Sequence, residues 1–268
     1  MNRDEKAKMI NNVGYWWHSI DCGDGLVTPG FKTIDILNNE WKSIGINNLT
    51  GRTVLDIGAW DGYFSFKAEE CGAKRVCALD HYVWSLDLEF GNKIRKDILE
   101  GRRVMPQEPI RMPSIWNPGM LPGKKGFDTA HTLRNSKVEQ YVADFMKMDL
   151  VELGTWDVVF FLGVLYHLQN PLEGLKRLAL ITRELAVIET QGIYINSLEQ
   201  KGLFEFYEAD ELNNDSSNWF APNLLGLQKA CRAAGFREVQ VSSPYPPDGA
   251  AYAGNNLLPC RLTVHAYK

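Results

Sequence analysis

The chain has 268 residues, of which 45% are hydrophobic and 11% aromatic, with a formal net charge of −4 and a pI near 5.8. That is ample material for the core of one large domain, and it excludes any global electrostatic pull toward nucleic acid or an anionic membrane. Five cysteines without a C-x-x-C pair argue against a disulfide framework or a zinc knuckle, and for reduced thiols in a cytoplasmic protein. MNRDEKAKMINN lacks an apolar signal core, and no stretch approaches the roughly 18 apolar residues that span a bilayer, so no membrane association is expected.

The first 48 residues precede any regular α/β pattern. Within them WWHSIDCGDGLVTPG, Trp16 to Gly30, packs two tryptophans, a histidine and three glycines without a helical or strand period. From Thr53 the pattern is regular, and residues 49–268 read as the main domain. TVLDIG is a short buried strand, YFSFKAEECGA a helix closing on Gly72, and RVCALD a second strand, together one βαβ unit. Residues 91–130, rich in Pro, Gly and charge, read as an insertion that begins with a helix. Its run KIRKDILEGRR, Lys93 to Arg103, carries five basic and two acidic side chains and suits the solvated face of that helix. VEQYVADF, WDVVFFLGVLYHL and LAVIET continue the strands, with PLEGLKRLALI and NLLGLQKACRAAG as helices; REVQVSS and CRLTVHAY predict an antiparallel hairpin at the sheet edge. The expected fold is α/β: a doubly wound, mostly parallel seven-stranded sheet. Ligands of such a sheet sit beyond the carboxyl ends of its strands.

LDIGAWDGYFSF carries the main chemical signal. Gly58 and Gly62 flank a strand-to-helix turn with Ala59 and Trp60 between them. Backbone without Cβ atoms lets a ligand approach, and the helix start offers free N–H groups to an anion. The spacing is not the dinucleotide fingerprint, because Trp60 fills the second glycine position and would obstruct a pyrophosphate. A carboxylate and an amine fit better, with Asp56 facing the ammonium. Asp80 ends the second strand, where an acid accepts both hydroxyls of a ribose, and His81 follows it. Asp144 suits the amino group of an adenine, with Phe145 against the ring. Amino acid, ribose and adenine together describe S-adenosylmethionine. Each strand-end acid alone is more often a turn or cap residue.

On the same edge, Leu162 and Gly163 close the fourth strand before Tyr166 and His167. An imidazole titrating near pH 6.5 suits a base that takes a proton from a hydroxyl or amine, and a helix cap or backbone contact is its alternative role. The Tyr166 ring can stand beside a sulfonium. Glu189 ends AVIET, as a substrate contact or a loop-orienting residue.

LDIGAWDGYFSF, ALDH, VADF, FLGVLYHLQNPLEGL and VIET together resemble class I S-adenosylmethionine-dependent methyltransferases, and within them the group related to the tRNA wobble-uridine (5-oxyacetate pathway) carboxymethyltransferase. The likeness runs from about Leu49 to Gly235. It implies the Rossmann-like methyltransferase fold and S-adenosylmethionine as cofactor. The tRNA enzyme of that group uses carboxy-S-adenosylmethionine, with an arginine just before an aromatic-Phe-x-Pro stretch. Here Trp219, Phe220 and Pro222 match, Tyr166 matches the tyrosine near the transferred group, and Ser216 and Ser217 stand where the arginine belongs. Lys32 is the remaining candidate for a cationic partner. A carboxylate without a partner in a dry site is costly, so ordinary S-adenosylmethionine is expected. A counterpart of the tRNA enzyme's long N-terminal region is not expected.

On this reading Trp16 to Gly30 is a lid over the ligand edge, its tryptophans excluding water and its glycines forming a hinge. The expected activity is methyl transfer to an oxygen, nitrogen or carbon nucleophile of a small molecule, with His167 or His18 as base and Tyr166 beside the methyl group. Trp16, Trp17, Glu189 and Trp219 are the expected acceptor contacts, and Trp84, Trp116 and Trp219 suggest a planar or apolar one. The alternatives are a tRNA wobble-uridine enzyme, landing on the run from Lys93 to Arg103, and a non-catalytic cofactor-binding protein. No metal is expected.

Overall fold

The computed structural model describes residues 1–101, 114–252, 254 and 256–268. Its elements in chain order are α1 (Arg3–Asn11), α2 (Ile34–Ile44), β1 (Thr53–Ile57), α3 (Tyr63–Glu70), β2 (Arg75–Asp80), α4 (Leu88–Leu99), α5 (Lys125–Arg134), β3 (Glu139–Val142), α6 (Leu150–Leu153), β4 (Trp156–Leu162), α7 (Pro171–Ile181), β5 (Thr182–Tyr194), β6 (Phe204–Phe206), β7 (Phe220–Pro222), α8 (Leu224–Ala233), β8 (Glu238–Val241) and β9 (Leu258–Tyr267). Seven strands form one sheet in the order β3-β2-β1-β4-β5-β9-β8; β1 to β5 run parallel, β9 runs antiparallel to β5, and β8 antiparallel to β9. β6 and β7 form a separate two-stranded ribbon.

The sheet is covered on both faces, which is why its central strands are continuous apolar runs. Val54, Val158 and Phe160 join a cluster with Leu37, Trp41, Phe66 and Phe127, while Leu55, Val159 and Phe161 join a second one with Leu175, Leu178 and Leu227. Successive residues of one strand thus feed opposite layers. The strand order reverses between β2 and β4, on either side of β1, so the crevice beyond Asp56 is the switch point where such sheets take ligands.

Two details differ from the sequence expectation. Residues 1–48 contain two helices: Asn2 caps α1 with Glu5 in a capping box, and α2 runs from a Thr33 cap to left-handed Gly45. The segment 91–130 overlaps α4, which starts at Leu88, and α5, whose buried Phe127 and Ala130 belong to the same core cluster as Val54 and Phe66. Residues 102–113, including the end of the basic run, lie outside the described residues. The last two strands form the expected antiparallel pair at the sheet edge, β9 against β5 and β8 outermost. All five cysteines are free, with Cys22, Cys77 and Cys231 buried and Cys71 and Cys260 half-buried.

Candidate functional site

The turn after β1 is built from left-handed backbone: φ is 79° at Gly58, 50° at Trp60 and 88° at Gly62. Asp80, at the end of β2, holds it in place. Its Oδ2 accepts the Trp60 N–H at 3.0 Å and its Oδ1 the Val83 N–H at 3.0 Å, while Trp84 Nε1 donates to the Trp60 carbonyl at 2.8 Å. Burial pushes the Asp80 carboxyl up to about 6, against the backbone amides that favour its charged form. Asp56 accepts the Ser65 hydroxyl at 2.6 Å, and burial raises it to about 7, opposed by that bond. The glycines serve packing as well as access. A Cβ on Gly62 would stand 2.7 Å from the Phe127 ring, and one on Gly58 2.6 Å from Val164 Cγ2.

The N-terminal segment is fastened to this turn. Asp61 Oδ2 accepts the Trp17 N–H at 2.7 Å and the His18 N–H at 2.9 Å, and Trp17 stacks on Trp60 with centroids 4.8 Å apart. Phe31 stacks on the other neighbour, Trp17, at 5.1 Å and is itself 72% exposed, so a ladder of three rings runs from solvent to the turn. Two expected roles change here. Trp16 is no acceptor contact: it is buried in the core with its Nε1 bonded to the Ile10 carbonyl. His18 is enclosed by Trp60, Tyr63 and Phe64, with its Nδ1 unpartnered, and burial and then Lys32 push its pKa well below the usual range. That is the environment of a packing histidine rather than of a base at an acceptor.

Asp61 gives the latch a pH dependence. Burial raises its carboxyl to about 7, opposed by the His18 and Trp17 amides. The folded chain then holds the proton more tightly than the unfolded chain from about pH 4 to about pH 7, and stability from this group falls as pH rises through that window. Asparagine keeps an acceptor for the amides and removes the charge. Asp61→Asn is therefore expected to gain thermal stability relative to the wild type between pH 5 and pH 8. Melting curves across that range check it; a constant difference would mean that Asp61 does not titrate there.

On the other side of the crevice, β4 ends in Leu162 and left-handed Gly163, and a 3-10 turn, Leu165–His167, carries Tyr166 and His167 side by side with ring centroids 4.2 Å apart. A Cβ on Gly163 would stand 3.6 Å from the Tyr166 hydroxyl and 3.9 Å from Glu189 Oε2, so these groups share one neighbourhood. Glu189 is not a free contact. It grips Arg261 of β9 in a bidentate pair, and the Arg261 guanidinium lies 5.1 Å from the centre of the Tyr166 ring. Burial raises the Tyr166 phenol above its ordinary value, against Arg261. His167 Nδ1 lies 3.1 Å from the Ser217 carbonyl and 3.0 Å from its hydroxyl, and burial lowers the ring's pKa against the charge of Asp215. Trp219 is half-buried, and its N–H donates to the Tyr166 carbonyl at 2.8 Å.

The adenine candidates are more engaged than expected. Asp144 Oδ1 accepts the Met146 N–H at 2.9 Å in a turn, and its Oδ2 pairs with Lys147 at 3.0 Å. Phe145 is buried between Phe161 and the Arg177 guanidinium. His81 packs on Trp116, while Trp84 is wholly buried, which removes it from the acceptor walls. A cavity of about 570 Å³ between α1, the start of α4 and α5 is lined by residues such as Val13, Glu89, Lys125 and Asp128, and by none of the expected site residues. Among the described residues no group of His, Cys, Asp and Glu is arranged to hold a metal ion, and no helix is long and apolar enough to cross a membrane.

Sequence reasoning missed Asp61 and Arg261 as site groups, and read Ser217 only as standing where the arginine belongs. Asp61 stood in plain view between Trp60 and Gly62, but its partners are more than 40 residues away. Arg261 reaches Glu189 only through the β5–β9 register, which pairs it with Gln191.

Residues 36–241 match the family model described as a methyltransferase domain. Among curated proteins, the tRNA U34 carboxymethyltransferase of Ectopseudomonas mendocina is 27% identical over 206 residues, covering 75% of this chain and 50% of that protein. That of Campylobacter jejuni is 24% identical over 221 residues, covering 79% and 61%. The chain thus spans about half the length of the curated relatives it matches. The solved N-terminal domain of EvdMO1, with S-adenosylhomocysteine bound, aligns over 100% of this chain and 97% of its own, at a TM-score of 0.59 and 17% identity. A phosphoethanolamine N-methyltransferase of Haemonchus contortus aligns over 92% of this chain and 55% of its own, at 0.54 and 14%. These structural likenesses concern the fold, the seven-stranded sheet described above.

Proposed function

The chain belongs to the class I S-adenosylmethionine-dependent methyltransferases, and on that premise we propose that its acceptor is a small molecule, a specialised metabolite methylated on oxygen, nitrogen or carbon. The observation that carries this reading is the roof over the glycine turn: Asp61 holds the Trp17 and His18 amides, and Trp17 lies flat on Trp60. A small acceptor can be enclosed beneath such a segment, whereas a folded RNA needs an open basic surface.

The residues at the sheet edge suit the cofactor. Asp80 accepts the Trp60 amide on Oδ2 and the Val83 amide on Oδ1, and a carboxylate has about four lone-pair sites with which to meet ribose hydroxyls as well. Trp60 Nε1 is buried at the turn without a partner, a donor that a bound molecule would satisfy. Asp80 holds the ribose in this reading, Asp144 the adenine amino group, and the turn from Gly58 to Gly62 the amino-acid end, beside Asp56. S-adenosylmethionine supplies a methyl group on a sulfonium, so the chain's own task is to align the acceptor, exclude water and receive a proton. Tyr166 presents its ring beside the transferred group, and His167 takes the proton.

The ion pair of Arg261 with Glu189 bears on which cofactor is used. It commits the guanidinium beside Tyr166 to Glu189 rather than to a further carboxylate, in keeping with serines at 216 and 217. Calorimetric titration of the cofactor-free protein is expected to show S-adenosylmethionine binding about five- to 150-fold more tightly than its carboxy form, from the 1–3 kcal/mol of an unpaired buried polar group. Preference for the carboxy form would instead bring forward a tRNA acceptor, the second reading, favoured by the names of the curated relatives. That reading predicts saturable tRNA binding that falls steeply with salt.

A further inference from the structure

We propose that Ser217 and Asp215 are positioning residues that lock His167 as its Nδ1–H tautomer, so that Nε2 is held ready to accept the acceptor's proton. The inference rests on the reading of His167 as the base.

The hydrogen-bond directions follow from what each atom can do. The Ser217 carbonyl oxygen, 3.1 Å from His167 Nδ1, has no hydrogen to give, so Nδ1 must carry one. The Ser217 hydroxyl is also 3.0 Å from Nδ1, and its single hydrogen is committed to Asp215 Oδ1 at 2.6 Å. It therefore faces Nδ1 as an acceptor too. Asp215 Oδ1 also takes the Ser217 N–H at 2.9 Å, which fixes the residue's backbone and hydroxyl from one point. The segment cannot drift from the imidazole, because Trp219 N–H donates to the Tyr166 carbonyl at 2.8 Å and Asn218 Nδ2 to the Leu212 carbonyl at 2.7 Å. Among the described residues Nε2 has no protein partner. A neutral imidazole with Nδ1 protonated has its basic lone pair on Nε2 and nowhere else.

The step balances with these groups alone. The acceptor's heteroatom forms a bond to the methyl carbon while the carbon–sulfur bond breaks and its electron pair stays on sulfur. The proton of the acceptor passes to Nε2. The resulting imidazolium keeps its Nδ1–H bond to Ser217, and the Asp215 carboxylate beyond the hydroxyl stabilises the new positive charge. The relay also gives the segment NDSSNWF a use in a chain where serine replaces the expected arginine.

The test uses the full chain with 15N-labelled histidine, its five imidazoles read by long-range 1H–15N correlation and His167 identified by the signals lost in His167→Gln. Near pH 7.5 the expected His167 pattern is a protonated, pyrrole-type Nδ1 and a pyridine-type Nε2. Asp215→Ala is expected to lose this single-tautomer pattern, and Asp215→Asn, which keeps an oxygen acceptor, to preserve it. An Nε2–H pattern in the wild type, or an unchanged pattern in Asp215→Ala, overturns the proposal. Titration of the same wild-type sample with S-adenosylmethionine separates the two levels: the expected tautomer without cofactor binding would sink the reading of the site, and cofactor binding with the wrong tautomer would sink only the relay.

Discussion

Replacing Asp80 with alanine is expected to weaken S-adenosylmethionine binding by about a hundredfold or more, the largest loss of any single change at the cofactor edge. Two hydrogen bonds from ribose hydroxyls to a carboxylate are together worth roughly 3–6 kcal/mol, and every 1.4 kcal/mol is a factor of ten. The substitution acts a second time through the turn. Trp60 and Val83 lose the acceptor of their N–H groups, and the Trp60 backbone is left-handed, a conformation that a tryptophan keeps only when its surroundings impose it. Binding and melting should therefore both suffer. Asp80→Asn separates them, since it keeps oxygen and shape for one amide while giving up the charge. Calorimetry on the three proteins decides the matter. A change below about threefold in Asp80→Ala, with the fold intact, would make Asp80 a bracket for the turn and nothing more.

Gly30→Ala is expected to release the N-terminal segment from the domain. A Cβ at this position would lie 2.1 Å from the His18 carbonyl carbon and 2.2 Å from the Ser19 nitrogen. Those are backbone atoms, which cannot swing aside as a side chain can. The two runs must separate, and with them go the bonds Ser19 N to Lys32 O at 3.0 Å, Lys32 N to Trp17 O at 2.8 Å and Phe31 N to Trp16 O at 3.1 Å. Three such bonds amount to about 3 kcal/mol, before the stacking of Trp17 on Trp60 is counted. Gly25→Ala is the control: φ is +69° there but nothing lies within 4 Å, so strain of about 1 kcal/mol is the whole cost. Limited proteolysis should cut the Gly30→Ala protein between residues 16 and 32 at least tenfold faster than the Gly25→Ala protein, on the free-energy difference above. Equal rates would mean that the segment is not held by this close approach.

Much of the fold could be read from the chain because its strands are apolar on both faces. TVLDIG, RVCALD and WDVVFF stand out for that reason, and each ends on the edge where the acids cluster. The helices of the first 48 residues were just as well signalled, by the Asn2 and Glu5 capping box and by Leu37, Trp41 and Ile44 at helical spacing, but a polar α1 has no apolar stripe to draw attention. The position of β9 was hidden for a different reason. An antiparallel pair at the end of the chain is equally compatible with either strand on the outside. At the site, the strand-end acids were legible by residue type. Their partners were not, because Asp61 with Trp17, Glu189 with Arg261 and His167 with Ser217 meet across 44, 72 and 50 residues of sequence. Chemistry can be guessed from the kind of residue at a strand end, but the neutralising or orienting neighbour is a product of register and loop path.

The latch between Asp61 and the Trp17 and His18 amides has a consequence for timing. On the reading of this segment as a lid, two hydrogen bonds and one indole stack would favour the shut arrangement by about 3 kcal/mol, which would leave roughly one molecule in a hundred ajar. If spent and fresh cofactor exchange through that minority, the apparent on-rate is scaled down by the same fraction, and turnover runs at the pace of a door rather than of a bond.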